Sequence, residues 1–217
     1  MPTRTPTAVE CWEDACRHLS KRDRVMRKLI PQFGDGRLQS PGDAFTTLAR
    51  SIVGQQISVK AAQSVWERLS GRVGVFEPRA LCRCRATTLR ACGLSGQKAE
   101  YIKDLAKKFR DGSLDPTRWI VLDDEALIVE LTQVKGIGRW TAQMFLMFHL
   151  ARPDVLPLAD LGLQRAMRVN YNGGRALSEA RMRKLGAAWA PWRSVATWYL
   201  WRSLEAVPVG APGRSDS

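Results

Sequence analysis

The chain has 217 residues, 45% of them apolar, enough to bury one large core or two interlocked small ones, which excludes wholesale disorder. Thirty-four Lys and Arg against 21 Asp and Glu give a formal charge of +13 and favour a polyanionic partner, with nucleic acid ahead of membrane. No apolar run reaches the length of a membrane span, the N-terminus lacks a signal-peptide core, and Cys11, Cys16, Cys82, Cys84 and Cys92 show no C-x-x-C spacing; these features point to a soluble cytoplasmic protein with reduced thiols and no zinc site.

Residues 1–7 read as a loose end. Val9, Trp12, Cys16 and Leu19 recur at helical spacing and predict a helix over 8–20; a short basic helix follows over 21–30, stopped by Pro31. Beyond the turn-rich FGDGRLQSPGD, Asp43 is suited to cap a helix with Phe45, Leu48, Ala49, Ile52 and Val53 on its buried face. That pattern breaks at Gly54-Gln55-Gln56-Ile57, and Ser58 restarts it for a helix carrying Val59, Ala62, Val65, Trp66 and Leu69. Glutamines at such a joint read first as polar turn residues. A long uncharged amide is also able to enter a duplex and fill the space of a lost base.

Two short helical pieces follow over 78–84 and 87–92, then the turn GLSG. Lys98 begins a helix with Ala99, Ile102, Leu105, Ala106 and Phe109 on one face; Lys103, Lys107, Lys108 and Arg110 lie on the others and read as solvated. Asp123 or Asp124 caps the next helix, with Leu127, Ile128, Leu131 and Val134 apolar. The helix over 139–150 is apolar enough to be central and buried. Asp160 opens another, Ser178 caps a basic one ending near Gly186, and Pro191 suits the first turn of a last helix containing Trp192, Val195, Trp198, Tyr199, Trp201 and Leu204. Residues 206–217 read as a disordered tail. No stretch alternates with period two, so the fold class is all-α, about ten helices. The expected organisation has residues 1–42 packing with the C-terminal lobe, 43–122 as a central lobe, and 123–205 as a hairpin lobe.

The stretch richest in chemistry is LTQVKGIGRWTAQMFLMFHLARPDVLPLADLGLQR, residues 131–165. Val134-Lys135-Gly136-Ile137-Gly138 is a turn between two apolar helical patterns. Such a turn is commonly a C-cap followed by a new start. It can also present free helix N–H groups to a phosphate, with Lys135 and Arg139 adding charge and Thr141 a hydroxyl donor one turn on. Asp160 reads first as an N-cap; the helix dipole that favours it there also keeps it ionised, as chemistry would need. Of eight tryptophans, Trp140, Trp189, Trp192, Trp198 and Trp201 fall from residue 140 onward. Core filling accounts for most; one or two lining a cleft would offer flat faces to an electron-poor ring.

LTQVKGIGRWTAQMFLMF followed by LPLADLGLQR resembles the helix-hairpin-helix superfamily of DNA glycosylases. With SIVGQQISVKAA, GLSGQKAEYIKDLA and WAPWRSVATWYLW, it resembles the 3-methyladenine DNA glycosylase II branch, over residues 43–204 and in a version without an extra N-terminal β-domain. The spacing of 22 positions from Gly138 to Asp160 fits the family's distance from hairpin to essential aspartate. The resemblance implies two interlocked helical lobes with the hairpin and an active-site cleft between them, and Asp160 as the catalytic group. It implies DNA contacts by Gly136, Gly138, Lys135, Arg139 and Thr141, insertion of Gln56 into the duplex, and Trp140, Met144 and Trp201 near the base pocket. Main-chain carbonyls of Thr132, Val134 and Ile137 would hold a sodium or potassium ion, and no cofactor is required.

Two departures narrow the function. Relatives that also cut the strand carry a lysine two residues after the second hairpin glycine; here that residue is Trp140, and Arg139 before it is too basic to act as an amine nucleophile. Relatives with an iron–sulfur cluster carry four cysteines after the aspartate, and none follows Cys92. The expectation is a monomeric, monofunctional glycosylase removing N3- or N7-methylated purines from double-stranded DNA, cytoplasmic and nucleoid-associated in a bacterium. A non-catalytic hairpin module or a bifunctional glycosylase/lyase are the alternatives.

Overall fold

The computed structural model describes residues 7–34, 36–38 and 42–205; the readings made on residues 1–6 and 206–217 lie outside them. Among the described residues the chain is all-helical. In order come α1 (Trp12–Arg22), α2 (Arg24–Leu29), a 3-10 turn (Ile30–Gln32), α3 (Ala44–Gly54), α4 (Val59–Val73), α5 (Pro78–Arg83) and α6 (Ala86–Ala91). Then follow α7 (Gly96–Asp111), α8 (Asp124–Thr132), α9 (Arg139–Phe148), α10 (Leu161–Asn172), α11 (Glu179–Ala187) and α12 (Arg193–Glu205). None of these is long and apolar enough to cross a membrane.

Helices begin where a side chain can satisfy the N–H groups that the first turn leaves free. Asp43, Ser58, Ser95, Asp123, Asp160 and Ser178 each accept from the backbone N–H three residues on. The same rule moves two predicted starts. Asp23 caps α2, its Oδ1 accepting from Val25 and Met26 at 2.7 and 3.1 Å, and Ser95 rather than Lys98 marks the start of α7. Pro191 stands before α12, not in its first turn; the helix begins at Arg193, whose N–H and guanidinium are both received by Asp154.

Packing divides the described chain into two units, 42–149 and 7–38 with 150–205. The sequence places a boundary at 122/123; the structure places it between 149 and 150, so α8 and α9 join α3–α7. A run of rings explains this: Phe45 of α3, Phe109 of α7, Trp119 and Phe145 of α9 meet in succession at centroid separations of 5.3, 6.0 and 5.4 Å. Burying those faces together fixes α9 against α3 and α7, and with it the turn that precedes α9.

The other unit is centred on α12, against which α1, α2 and α10 pack. Trp12 donates to the Tyr199 hydroxyl at 3.2 Å, and Trp189, Tyr199, Leu19 and Met26 are fully buried. Residues 153–155 are strapped to the start of α12. Asp154 forms a bidentate pair with Arg193 at 2.7 and 2.8 Å, the Ser194 N–H donates to the Pro153 carbonyl, and the Val155 N–H donates to Ser194 Oγ. Leu156 then lies over Gly186, where a Cβ would stand 2.5 Å from its Cδ2. The loop that carries Asp160 is thereby held against two helices.

Candidate functional site

The joint between α3 and α4 separates its two glutamines. Gln56 is exposed at φ +57°, a left-handed conformation that costs a non-glycine residue roughly 1–2 kcal/mol. Gln55 turns inward, and its Nε2 donates to the Gly136 carbonyl of the hairpin at 2.7 Å. Lys98, from the first turn of α7, donates from Nζ to the carbonyls of Val53 and Gln55 at 2.8 and 2.6 Å. Those carbonyls lie at the C-terminal end of α3, where an ammonium completes hydrogen bonds the helix cannot make and meets the negative end of its dipole. Burial holds the Lys98 ammonium below the usual lysine pKa. Ile57 and Val59, beside Gln56, are exposed apolar side chains.

In the hairpin the two glycines differ. Gly136 has φ +83°, and a Cβ there would stand 2.1 Å from the Tyr101 ring; backbone and packing both require glycine. Gly138 has φ −91°, and a Cβ there would meet nothing within 4 Å. Gly138 begins α9 with no side-chain cap, so the backbone donors of that turn are not taken by a neighbouring hydroxyl or carboxylate as in α3, α4 and α10. The Lys135 N–H donates to Asp104 Oδ2 of α7 at 2.9 Å. Arg139 forms a bidentate pair with Glu125; both are more than half exposed, and the pairing holds the Glu125 carboxyl below and the Arg139 guanidinium above their ordinary values. Thr141 is buried. The Val134 carbonyl accepts from the Ile137 N–H at 3.0 Å, and the Thr132 hydroxyl donates to Val129.

These elements enclose a cavity of about 650 Å³, lined among others by Gln56, Tyr101, Gly136, Trp140, Thr141 and Met144. Trp140 is 46% exposed, whereas Trp12, Trp66, Trp119 and Trp189 are buried core. Gln56, Gly136, Trp140, Thr141 and Met144 therefore gather at one place. Trp201, grouped with Trp140 and Met144 by the sequence, belongs to the other unit with Asp160.

Asp160 is half-buried at the N-cap of α10. Its Oδ1 accepts from the Leu163 N–H at 2.6 Å and from Trp201 Nε1 at 2.9 Å. Gly162 keeps this corner open, since a Cβ there would lie 3.0 Å from Asp160 Oδ1 and 3.3 Å from the Trp201 indole. The arrangement fixes a carboxylate by a helix N-terminus and an indole donor. It can stabilise a developing positive charge or orient a water. Among the described residues, no three His, Cys, Asp or Glu side chains are grouped to hold a metal ion. Sequence reasoning takes Lys98 only as a helix start and Gln55 only as a glutamine at a helix joint, and does not single out Tyr101 or Asp104. Nothing in helical periodicity distinguishes a lysine that caps a neighbouring helix from one in solvent.

Residues 49–191 match the family described as HhH-GPD superfamily base excision DNA repair protein. The chain is 32% identical over 205 residues to DNA-3-methyladenine glycosylase 1 of Schizosaccharomyces pombe, with 91% of this chain and 90% of that one covered. A DNA-3-methyladenine glycosidase of Bacillus halodurans superposes with a TM-score of 0.80 at 37% identity, over 86% of each chain. A 3-methyladenine DNA glycosylase of Schizosaccharomyces pombe, solved in complex with abasic DNA, superposes with a TM-score of 0.76 at 30% identity, over 88% of this chain and 97% of that one.

Proposed function

The chain belongs to the HhH-GPD superfamily of base excision DNA repair proteins, and on that footing we propose that it is a monofunctional DNA glycosylase removing N3- or N7-methylated purines from double-stranded DNA. The observation that carries the reading is Asp160, a half-buried carboxylate fixed on one oxygen by Leu163 and Trp201 in a chain whose relatives act on methylated bases.

A base must leave the stack before its glycosidic bond can be reached, and a damaged base costs less to extrude. Gln56, already exposed at the tip of its turn, fills the gap in the duplex. The N–H groups of Gly136, Gly138 and the first turn of α9 donate to phosphate oxygens, while that of Ile137 stays on the Val134 carbonyl; Lys135 and Arg139 add charge, Arg139 exchanging Glu125 for a phosphate as it does so. The carbonyls of Thr132, Val134 and Ile137 would hold a sodium or potassium ion, and neutral oxygens with two lone pairs each suit a hard monovalent cation, even with one lone pair of Val134 engaged by Ile137. Such an ion would offset phosphate charge.

Methylation at N3 or N7 leaves the purine cationic, so its bond to the sugar is already weak. Trp140 and Trp201 each offer an aromatic ring of the kind that favours a cationic base, and Met144 lines the cavity with Trp140. Asp160, as carboxylate, stabilises the oxocarbenium-like sugar and orients or deprotonates the attacking water. The C1′–N bond breaks with its electron pair going to the purine, the water oxygen bonds to C1′, and an abasic site remains. Neither Trp140 nor Arg139 can form a Schiff base, so the strand stays intact. The protein acts as a monomer, in the cytoplasm and on the nucleoid in a bacterium.

The test is incubation with methylated duplex DNA, followed by chromatography of released bases and electrophoresis of the strands. Free methylated purines should appear while strands break only after heating in alkali, and borohydride should trap no covalent adduct. A trapped adduct would make the protein a lyase; tight DNA binding without base release would make it a non-catalytic hairpin module.

A further inference from the structure

One side of α7 supports both parts proposed to engage DNA. Lys98, Tyr101 and Asp104, spaced i, i+3 and i+6, share one face of that helix. Lys98 bonds the Val53 and Gln55 carbonyls, Tyr101 fills the space that a Gly136 side chain would need, and Asp104 accepts from the Lys135 N–H at 2.9 Å. Gln55 closes the circuit by donating to the Gly136 carbonyl at 2.7 Å. The turn bearing Gln56 and the hairpin are thus tied to one helix and to each other.

Lys98 is badly placed for its own helix. A cation in the first turn of α7 faces the positive end of that helix's dipole, and burial further disfavours its charged form. Its position makes sense through what it reaches: the carbonyls immediately before a left-handed Gln56. A residue held at positive φ persists only where its surroundings over-determine it.

We propose that Lys98 is a positioning residue for Gln56, holding the turn in its insertion-ready conformation and, through Gln55, in fixed register with the hairpin. The inference rests on the reading of Gln56 as the residue that enters the duplex. It predicts that loss of Lys98 impairs extrusion of a paired base and spares the chemistry on a base already out of the stack. A helix cap that served folding alone would affect both equally.

The experiment compares single-turnover release of N7-methylguanine from a fully paired duplex and from the same strand with the lesion in a one-nucleotide bulge. Lys98→Met should slow release from the paired duplex roughly tenfold or more and from the bulge by less than about threefold, with Lys98→Arg, which keeps a cation for both carbonyls, within about threefold of wild type on either. Gln55→Ala, which removes only the bond to Gly136, should show the same selective loss and decides the matter if Lys98→Met lacks a cooperative melting transition. Equal loss on both substrates, or no loss on the paired duplex, overturns the proposal. Failure of the wild-type protein to release the base from either substrate overturns the glycosylase reading itself.

Discussion

Two aspartates in the same unit are built from the same parts. Asp23 caps α2 and Asp160 caps α10; each accepts from a first-turn backbone N–H and from an indole, Trp189 for one and Trp201 for the other. They differ in what closes over them. Asp23 is 8% exposed, and its Oδ2 is shared between Trp189 Nε1 at 3.0 Å and the Tyr171 hydroxyl at 2.8 Å. Burial and the adjacent carboxylate push the Tyr171 phenol far above its ordinary range, so that hydroxyl remains a donor. Asp160 is half-buried, its two named donors converge on one oxygen, and Gly162 leaves no side chain over it. Cap geometry therefore does not separate a structural carboxylate from one proposed for chemistry. The depth of burial and the room that Gly162 leaves beside Asp160 Oδ1 set the two apart.

Substitutions that keep the cap should pull the two apart. Asp23→Asn retains one acceptor but turns an amide N–H₂ toward donors that need a carboxylate, and should cost about 3 kcal/mol of folding stability in urea titrations. The excision rate per folded molecule should stay within about twofold of wild type; a stable Asp23→Asn protein would show that the buried bonds matter less than their burial implies. Next in size, Trp201→Phe keeps a ring and removes the indole donor to Asp160, and should slow single-turnover excision roughly tenfold. An unchanged rate would remove Trp201 from the site. Smallest, Gly162→Ala places a methyl 3.0 Å from Asp160 Oδ1 and should slow excision by about threefold, with DNA affinity unaffected. A large effect on affinity instead would mean that this corner contacts DNA directly.

The fold class was legible because seven of the twelve described α-helices start at an Asp or Ser cap, as at Asp43, Ser58 and Ser178. The division into units was not, because it depends on which apolar faces meet: Phe45, Phe109, Trp119 and Phe145 lie far apart in sequence and join α9 to α3. At the site, the hairpin glycines and Asp160 stood out through spacing and resemblance. Lys98, Gln55 and Asp104 did not, since each acts through a backbone group of another element and leaves no periodic mark. Nor did the sequence distinguish Gly136, which Tyr101 and a positive φ require, from Gly138, which neither requires.

The central claim is that Asp160 serves chemistry while still capping its helix, and Asp160→Asn tests it because asparagine caps as well as aspartate and can still accept from Leu163 and Trp201. With methylated duplex DNA at single turnover, the variant should release bases roughly 10²–10³-fold more slowly than wild type, while its melting temperature and its affinity for abasic DNA stay at wild-type values. A variant that releases bases at the wild-type rate would contradict the account and leave Asp160 a helix cap alone.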